Sequence, residues 1–92
     1  MTVTIGSLTF DQASYDDRGD VLYLHLGDRQ PAAVSEETPE GHVLRFNAQG
    51  EVIGLTIINA KWLLERDHVI NVTVPEHVAV SPDALADALA AA

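Results

Sequence analysis

Two alternating segments in the middle of the chain constrain the fold most. His42–Asn47 and Glu51–Asn59 are separated by Ala48-Gln49-Gly50, a short connection whose glycine suits a left-handed position. This arrangement predicts a β-hairpin. Within it, Val52–Ile58 carries aliphatic side chains at both odd and even positions. Because successive side chains of a strand point to opposite faces, both faces of this strand need an apolar cover.

Five further segments are predicted as strands, most of them from the alternation of their apolar side chains. Turn-forming Gly, Pro, Asp or Ser residues lie between them. The segments are Thr2–Ile5, Leu8–Phe10, Val21–Leu26, Ala32–Glu37 and Val69–Val74. We expect Val21–Leu26, His42–Asn47 and Glu51–Ile58 to form one contiguous antiparallel sheet, with Ala32–Glu37 as a short edge strand.

Two short helices are predicted. Asn59–Arg66 follows the hairpin, and Asn59 is a residue type that favours helix N-caps. Ser81-Pro82-Asp83 combines an N-cap, a proline for the first helical position and an acidic first turn. Leu85 and Leu89 follow at helical spacing. A helix of about ten residues does not persist alone in water, so these leucines must dock on this chain or on a neighbour.

Two single residues carry predictions of their own. Gly54 lies inside a strand, which indicates a bulge or a close approach by another backbone or by Trp62. Trp62 is expected to pack the short helix onto the sheet, and an exposed anchor for a partner protein is the alternative.

These elements predict one α+β, β-rich domain over residues 1–92. Its architecture is an antiparallel sheet or meander of short strands, with a short helix after the long hairpin and a C-terminal helix. A chain of 92 residues with 47% apolar composition fits a single core. Two short helices cover little more than one face of the sheet, so the other face is closed by the sheet itself or by another chain. We therefore expect a homo-oligomer, a dimer or larger.

Charge and cysteine content exclude several functions. Five Lys and Arg residues against fourteen Asp and Glu residues give a net charge of −9. Nucleic-acid binding depends on cationic side chains, so no nucleic-acid partner is expected, and an anionic membrane surface is disfavoured for the same reason. This charge allows a basic protein partner, although solubility explains the charge equally well. The absence of cysteine excludes disulfides and thiol chemistry. Residues 1–10 do not resemble a signal peptide, so we expect a cytoplasmic protein.

The histidines offer one candidate metal site. His25 and His42 would be neighbours if their strands paired, and Glu40 would complete a minimal ligand set. No short ligand pair such as His-x-x-x-His is present, however. Structural or surface imidazoles are therefore the simpler interpretation.

An acidic turn is the second candidate. Asp16, Asp17 and Asp20 surround Gly19 but lack the alternating oxygen ligands of a calcium loop. We interpret them as carboxylates that accept backbone N–H bonds in a turn. No serine nucleophile elbow or phosphate-binding loop occurs, and adjacent Glu36-Glu37 would point to opposite faces of a strand. We expect no catalytic residue, no metal and no cofactor.

A longer pattern resembles a known family. It begins with Tyr-Asp-Asp-Arg-Gly-Asp-Val-Leu-Tyr-Leu and continues through a few turn and strand residues. Its parts are Tyr15–Leu24, Pro31, Glu36-Glu37, Gly41 and Val52–Ala60. Over about residues 14–64 it resembles domain of unknown function 2283, a family of short, mostly bacterial chains. The resemblance implies a β-rich fold with a helix after the long hairpin, no assigned reaction, and an antitoxin-like role. Residues 65–92 lie outside it and add a strand and the C-terminal helix.

We therefore predict a non-enzymatic protein-interaction module that self-associates, with an antitoxin-like protein covering a basic partner as its specific form. The alternative is a small metal- or ligand-binding domain, or an enzyme, that uses His25, His42 and the turn of Asp16 and Asp20.

Overall fold

Apolar alternation produces nine strands and two helices in the computed structural model, which describes residues 2–27, 30–74 and 77–90. The strands are β1 Val3–Ile5, β2 Leu8–Phe10, β3 Gln12–Asp16, β4 Val21–His25, β5 Val34–Glu37, β6 Val43–Phe46, β7 Val52–Ile58, β8 Ile70–Thr73 and β9 His77–Val80. The helices are α1 Ala60–Asp67 and α2 Pro82–Ala90. The predicted α+β, β-rich class is confirmed.

The central five strands form an antiparallel sheet in the order β3-β4-β7-β6-β5. β5, β6 and β7 are consecutive neighbours and form a meander, whereas β7 and β6 lie between β4 and β5 in the sheet. β1–β2 and β8–β9 are separate antiparallel hairpins. The contiguous sheet expected from Val21–Leu26 and the central hairpin is confirmed, with β7 as its middle strand.

One face of the five-stranded sheet forms the core with a second layer made of the two hairpins and α2. Leu22 and Leu55 from the sheet are fully buried, as are Phe10, Val72 and Leu85 from the covering layer. Alternation therefore places the neighbouring residues of the same strands on the opposite surface. We call that surface the outer face of the sheet.

Two strands, β3 and β9, were not predicted from the sequence. In β3 the inward residues are Ala13 and Tyr15, and a small alanine between polar neighbours gives a weak alternation. β9 pairs with β8 over four residues, which is short for recognition from the pattern alone. The edge strand is confirmed in position, although it begins at Val34 instead of Ala32.

The C-terminal helix follows its capping residues as predicted. Ala84 N–H lies 3.4 Å from Ser81 Oγ, and Pro82 is the first helical residue. Leu85 and Leu89 are both buried, and α2 contacts β1 and β3 of its own chain. Neither helix of the described residues is long and apolar enough to cross a membrane.

Candidate functional site

Asp20 joins the β3–β4 turn to helix α1. It adopts a left-handed conformation with φ of 55°, which Asp tolerates better than most residues. Its Oδ1 accepts the Lys61 N–H at 2.9 Å, and its Oδ2 accepts the Trp62 N–H at 3.1 Å. The Tyr15 hydroxyl donates to Oδ1 at 2.7 Å. A residue 41 positions earlier in the chain therefore caps the helix.

This arrangement shifts two ionisation equilibria in opposite directions. Burial, followed by the hydrogen bond to Asp20 and its negative charge, raises the pKa of Tyr15 to about 12. Burial alone would raise the pKa of Asp20, but the hydrogen bonds from Tyr15, Lys61 and Trp62 outweigh it and lower that pKa. The carboxylate is therefore held ionised as a structural acceptor.

The predicted cap Asn59 needs correction. It occupies the N-cap position with φ of 61°, but its side chain makes no capping hydrogen bond. Its left-handed backbone turns the chain out of β7, and Asp20 supplies the acceptors instead. The interpretation of Asp16 is confirmed, because its Oδ1 accepts the backbone N–H of Arg18 at 3.1 Å and of Gly19 at 3.4 Å.

The structure does not bring His25 and His42 together. β4 and β6 are separated by β7, so the pairing that the metal hypothesis required does not occur. His25 lies opposite Gly54, whereas the Nδ1 of His42 accepts the backbone N–H of Ile58. These two positions on β7 are four residues apart, or about 13 Å along the strand.

His42 and Glu40 have structural partners in the turn before β6. His42 is 2% exposed, and its backbone N–H donates to Thr38 Oγ1 at 3.1 Å. Burial lowers the pKa of His42, with a smaller opposing effect from the Glu40 charge. Glu40 accepts both the N–H and the hydroxyl of Thr73, at 3.0 and 2.9 Å, and thereby holds β8 to this turn. Burial would raise the pKa of Glu40, but the bonds from Thr73 and Thr38 lower it.

Within residues 2–27, 30–74 and 77–90, no three His, Asp or Glu side chains lie close enough together to hold a metal ion. Glu36 and Glu37 lie on the edge strand β5, both exposed to solvent, on adjacent positions of opposite faces.

The outer face of the sheet is free of acidic side chains on its three central strands. β4, β7 and β6 place no carboxylate on it, although the chain contains fourteen Asp and Glu residues. Tyr23 is 43% exposed and Ile58 36% exposed, and Val21 and Val43 lie beside them half-buried. None of these four side chains belongs to the core that the described residues form.

Arg45 lies at one end of the outer face, in the same row across the sheet as His25 and Gly54. A Cβ placed on Gly54 would lie only 2.6 Å from Arg45 Nη2 and 3.0 Å from Nε. The guanidinium therefore occupies the space that the missing side chain leaves. Its Nη1 donates to the Thr56 hydroxyl.

Arg45 was not identified as a candidate site residue from the sequence, although Gly54 was a signal for it. Gly54 did predict a bulge, and β7 has one beside it, where Ile53 is an extra residue between Gly54 and Val52. The predicted close approach also occurs, but the approaching group is Arg45 and neither another backbone nor Trp62. Trp62 is 51% exposed and stacks on Arg66 instead of packing fully on the sheet.

Comparison with known families gives a match over the centre of the chain. The model of a family described as protein of unknown function (DUF2283) matches residues 12–61. That stretch runs from the first residue of β3 to Lys61, whose N–H Asp20 caps. No curated protein matches the chain, and no solved structure does.

Proposed function

Because the chain belongs to the DUF2283 family, whose description assigns no activity, we propose a function from its own residues. The protein is a non-enzymatic interaction module, and it self-associates through the outer face of its five-stranded sheet. The expected partner is a second copy of the chain, with the two sheets packed face to face.

The composition of the outer face is the observation that carries this proposal. The centres of protein interfaces are depleted in Asp, Glu and Lys and enriched in aromatic residues and Arg. The three central strands present Tyr23, Arg45 and three aliphatic residues here, and the carboxylates Asp16 and Glu37 lie only on the outermost strands. A sheet face that meets only water is normally polar throughout.

The dimensions of the sheet set the affinity that we expect between two copies. Five strands spaced about 4.8 Å apart and about five residues long cover roughly 24 by 17 Å. The projected area of the sheet is therefore smaller than the ~800 Å² that each partner buries in a standard interface. Self-association should therefore be weak and depend on concentration.

The alternative metal or enzyme function gains no support from the geometry. It required His25 and His42 to be neighbours, and β7 separates their strands. Asp16 and Asp20 are both engaged in backbone hydrogen bonds.

Light scattering over a range of concentrations tests the proposal. The wild-type mass should rise above the 9.9 kDa of one chain towards twice that value as concentration increases. Ile58→Lys should return the mass to that of the monomer, because a buried lysine in the interface has no partner. Thr9→Lys adds the same charge to the exposed side of β2 and should leave association unchanged. A wild-type mass that stays at the monomer value up to millimolar concentration would refute self-association.

A further inference from the structure

A groove of about 710 Å³ lies at the Arg45 end of the outer face. Its floor is formed by sheet residues that include Ser14, Tyr23 and His25, and Gln30 and Pro31 of the β4–β5 connection line it as well. The groove is therefore bordered by the sheet on one side and by Gln30 and Pro31 on the other. A volume of this size is within the range of small-molecule sites.

Arg45 is fixed in this groove before any ligand arrives. Its guanidinium rests on Gly54, where any larger residue would displace it, and Nη1 donates to Thr56. A guanidinium has five N–H donors, and among the described residues only this one protein acceptor engages them. The remaining N–H groups can therefore donate hydrogen bonds to a ligand.

The charge of Arg45 also lacks a partner within the described part of the chain. The ion pair found there joins Arg66 to Asp67, and no carboxylate lies within 4.0 Å of the Arg45 guanidinium. This is unexpected in a protein with fourteen acidic and five basic residues, where most cations would have carboxylates nearby. Among the residues that the structure describes, no Asp or Glu lines the groove.

We propose that this groove binds a small organic monocarboxylate, with Arg45 as its anion-binding residue. Guanidinium and carboxylate match in a planar, two-point hydrogen-bonded geometry. One fixed positive charge suits a single negative charge, and the net charge of −9 disfavours dianions such as phosphate. Tyr23 and Pro31 offer apolar surface for the rest of the ligand. This site goes beyond the proposed self-association but shares Tyr23 and Arg45 with that interface, so a bound ligand and a second copy compete for this end of the outer face.

Benzoate and benzamide are a suitable pair of probes, because they share shape and differ in charge. Titration of the isotope-labelled wild-type protein with each, at fixed ionic strength and followed by amide chemical shifts, should give at least about tenfold tighter binding of benzoate. The shifted amides should be those of Tyr23, His25 and Arg45.

Three variants separate the role of Arg45 from general charge effects. Arg45→Met should weaken benzoate binding at least about tenfold, to the level of benzamide. Gly54→Ala should do the same while keeping the charge, since the new Cβ displaces the guanidinium, and it preserves a test if Arg45→Met fails to fold. Arg18→Met removes one exposed cation from the β3–β4 turn and should leave binding unchanged.

Equal binding of benzoate and benzamide by the wild type would overturn the proposal. So would full benzoate binding by folded Arg45→Met. If free benzoate does not bind but Arg45→Met lowers the mass in light scattering, Arg45 serves contacts between copies, and the small-ligand site is refuted while self-association stands.

Discussion

Asp20 is the residue on which the junction between the sheet and α1 depends most. Its carboxylate receives two backbone N–H groups of the helix and the Tyr15 hydroxyl. The sequence showed an acidic residue in a turn, but a contact between residues 41 positions apart is set by the tertiary fold and leaves no local pattern. Asn59, the local candidate, was wrong for that reason.

Replacing Asp20 tests this role. Asp20→Ala should lower the free energy of unfolding by about 2 kcal/mol or more, because two helix N–H groups and the Tyr15 hydroxyl lose their acceptor. Asp20→Asn keeps one oxygen and tolerates the left-handed backbone, so its loss should be smaller. Urea denaturation measures both. Equal stability of Asp20→Ala and the wild type would contradict the assigned role.

Tyr15 provides a spectroscopic test of the same junction. The folded-state pKa of about 12 lies above the unfolded value of 10.0, because burial and the bond to Asp20 favour the protonated phenol. Protonated Tyr15 therefore contributes stability below pH 10 that disappears as the pH rises towards 12. Titration of phenolate absorbance should show an ionisation near pH 12 that Tyr15→Phe removes. Its persistence in Tyr15→Phe would contradict the assignment.

At the scale of elements, the sequence predicted those strands and helices that periodicity and capping residues control. The central hairpin follows from alternation and α2 from Ser81-Pro82-Asp83, whereas α1 lies where it was predicted although Asn59 does not cap it. β3 was missed because Ala13 is a weak apolar marker, and the Arg45 groove was missed because Gly54 does not show which side chain fills its space. Contacts between strands distant in sequence determine both.

The docking of α2 gives a prediction at this scale. Leu85 is fully buried, and Leu→Ala changes in cores cost about 2–5 kcal/mol. For a domain of this size, Leu85→Ala should lower the melting temperature by roughly 10 °C or more. Asp87→Ala alters the exposed side of the same helix and should have little effect. Because α2 docks on its own chain, the Leu85 change should destabilise a monomeric protein as well. An unchanged melting temperature would show that α2 contributes nothing to the core.

At the scale of the whole molecule, the buried polar groups should make the protein less stable in acid. The pKa values of Asp20, Glu40 and His42 are all lowered in the folded protein. The carboxylates of Asp20 and Glu40 therefore stabilise the fold above their unfolded pKa values, and this contribution is lost as the pH falls through the folded values. Buried His42 acts in the same direction, because below its unfolded pKa the unfolded chain takes up a proton that the folded protein disfavours.

Denaturation at several pH values checks this expectation. The free energy of unfolding should begin to fall below about pH 6.5, where unfolded histidine takes up a proton, and should fall further below about pH 4.5, where unfolded carboxyl groups do. Glu40→Gln should reduce the second decrease. A protein equally stable at pH 7 and pH 3 would contradict the three shifts taken together.

Net charge governs assembly at the same scale. Two copies that each carry a charge of −9 repel one another, and salt screens that repulsion. Self-association through the uncharged centre of the outer face should therefore strengthen between about 20 and 300 mM salt, where the screening length shortens several-fold. Sedimentation analysis at both salt concentrations measures the change. Weaker association at high salt would indicate an interface held by ion pairs instead.

Contacts between copies test the central claim most directly. In a mixture of isotope-labelled and unlabelled protein, a filtered nuclear Overhauser experiment detects only protons of different chains. The outer-face interface predicts contacts from the Tyr23 ring and the Ile58 methyl groups to the same outer-face residues of the second copy. No contact between copies at concentrations where the mass has doubled, or contacts confined to the hairpins and α2, would contradict it.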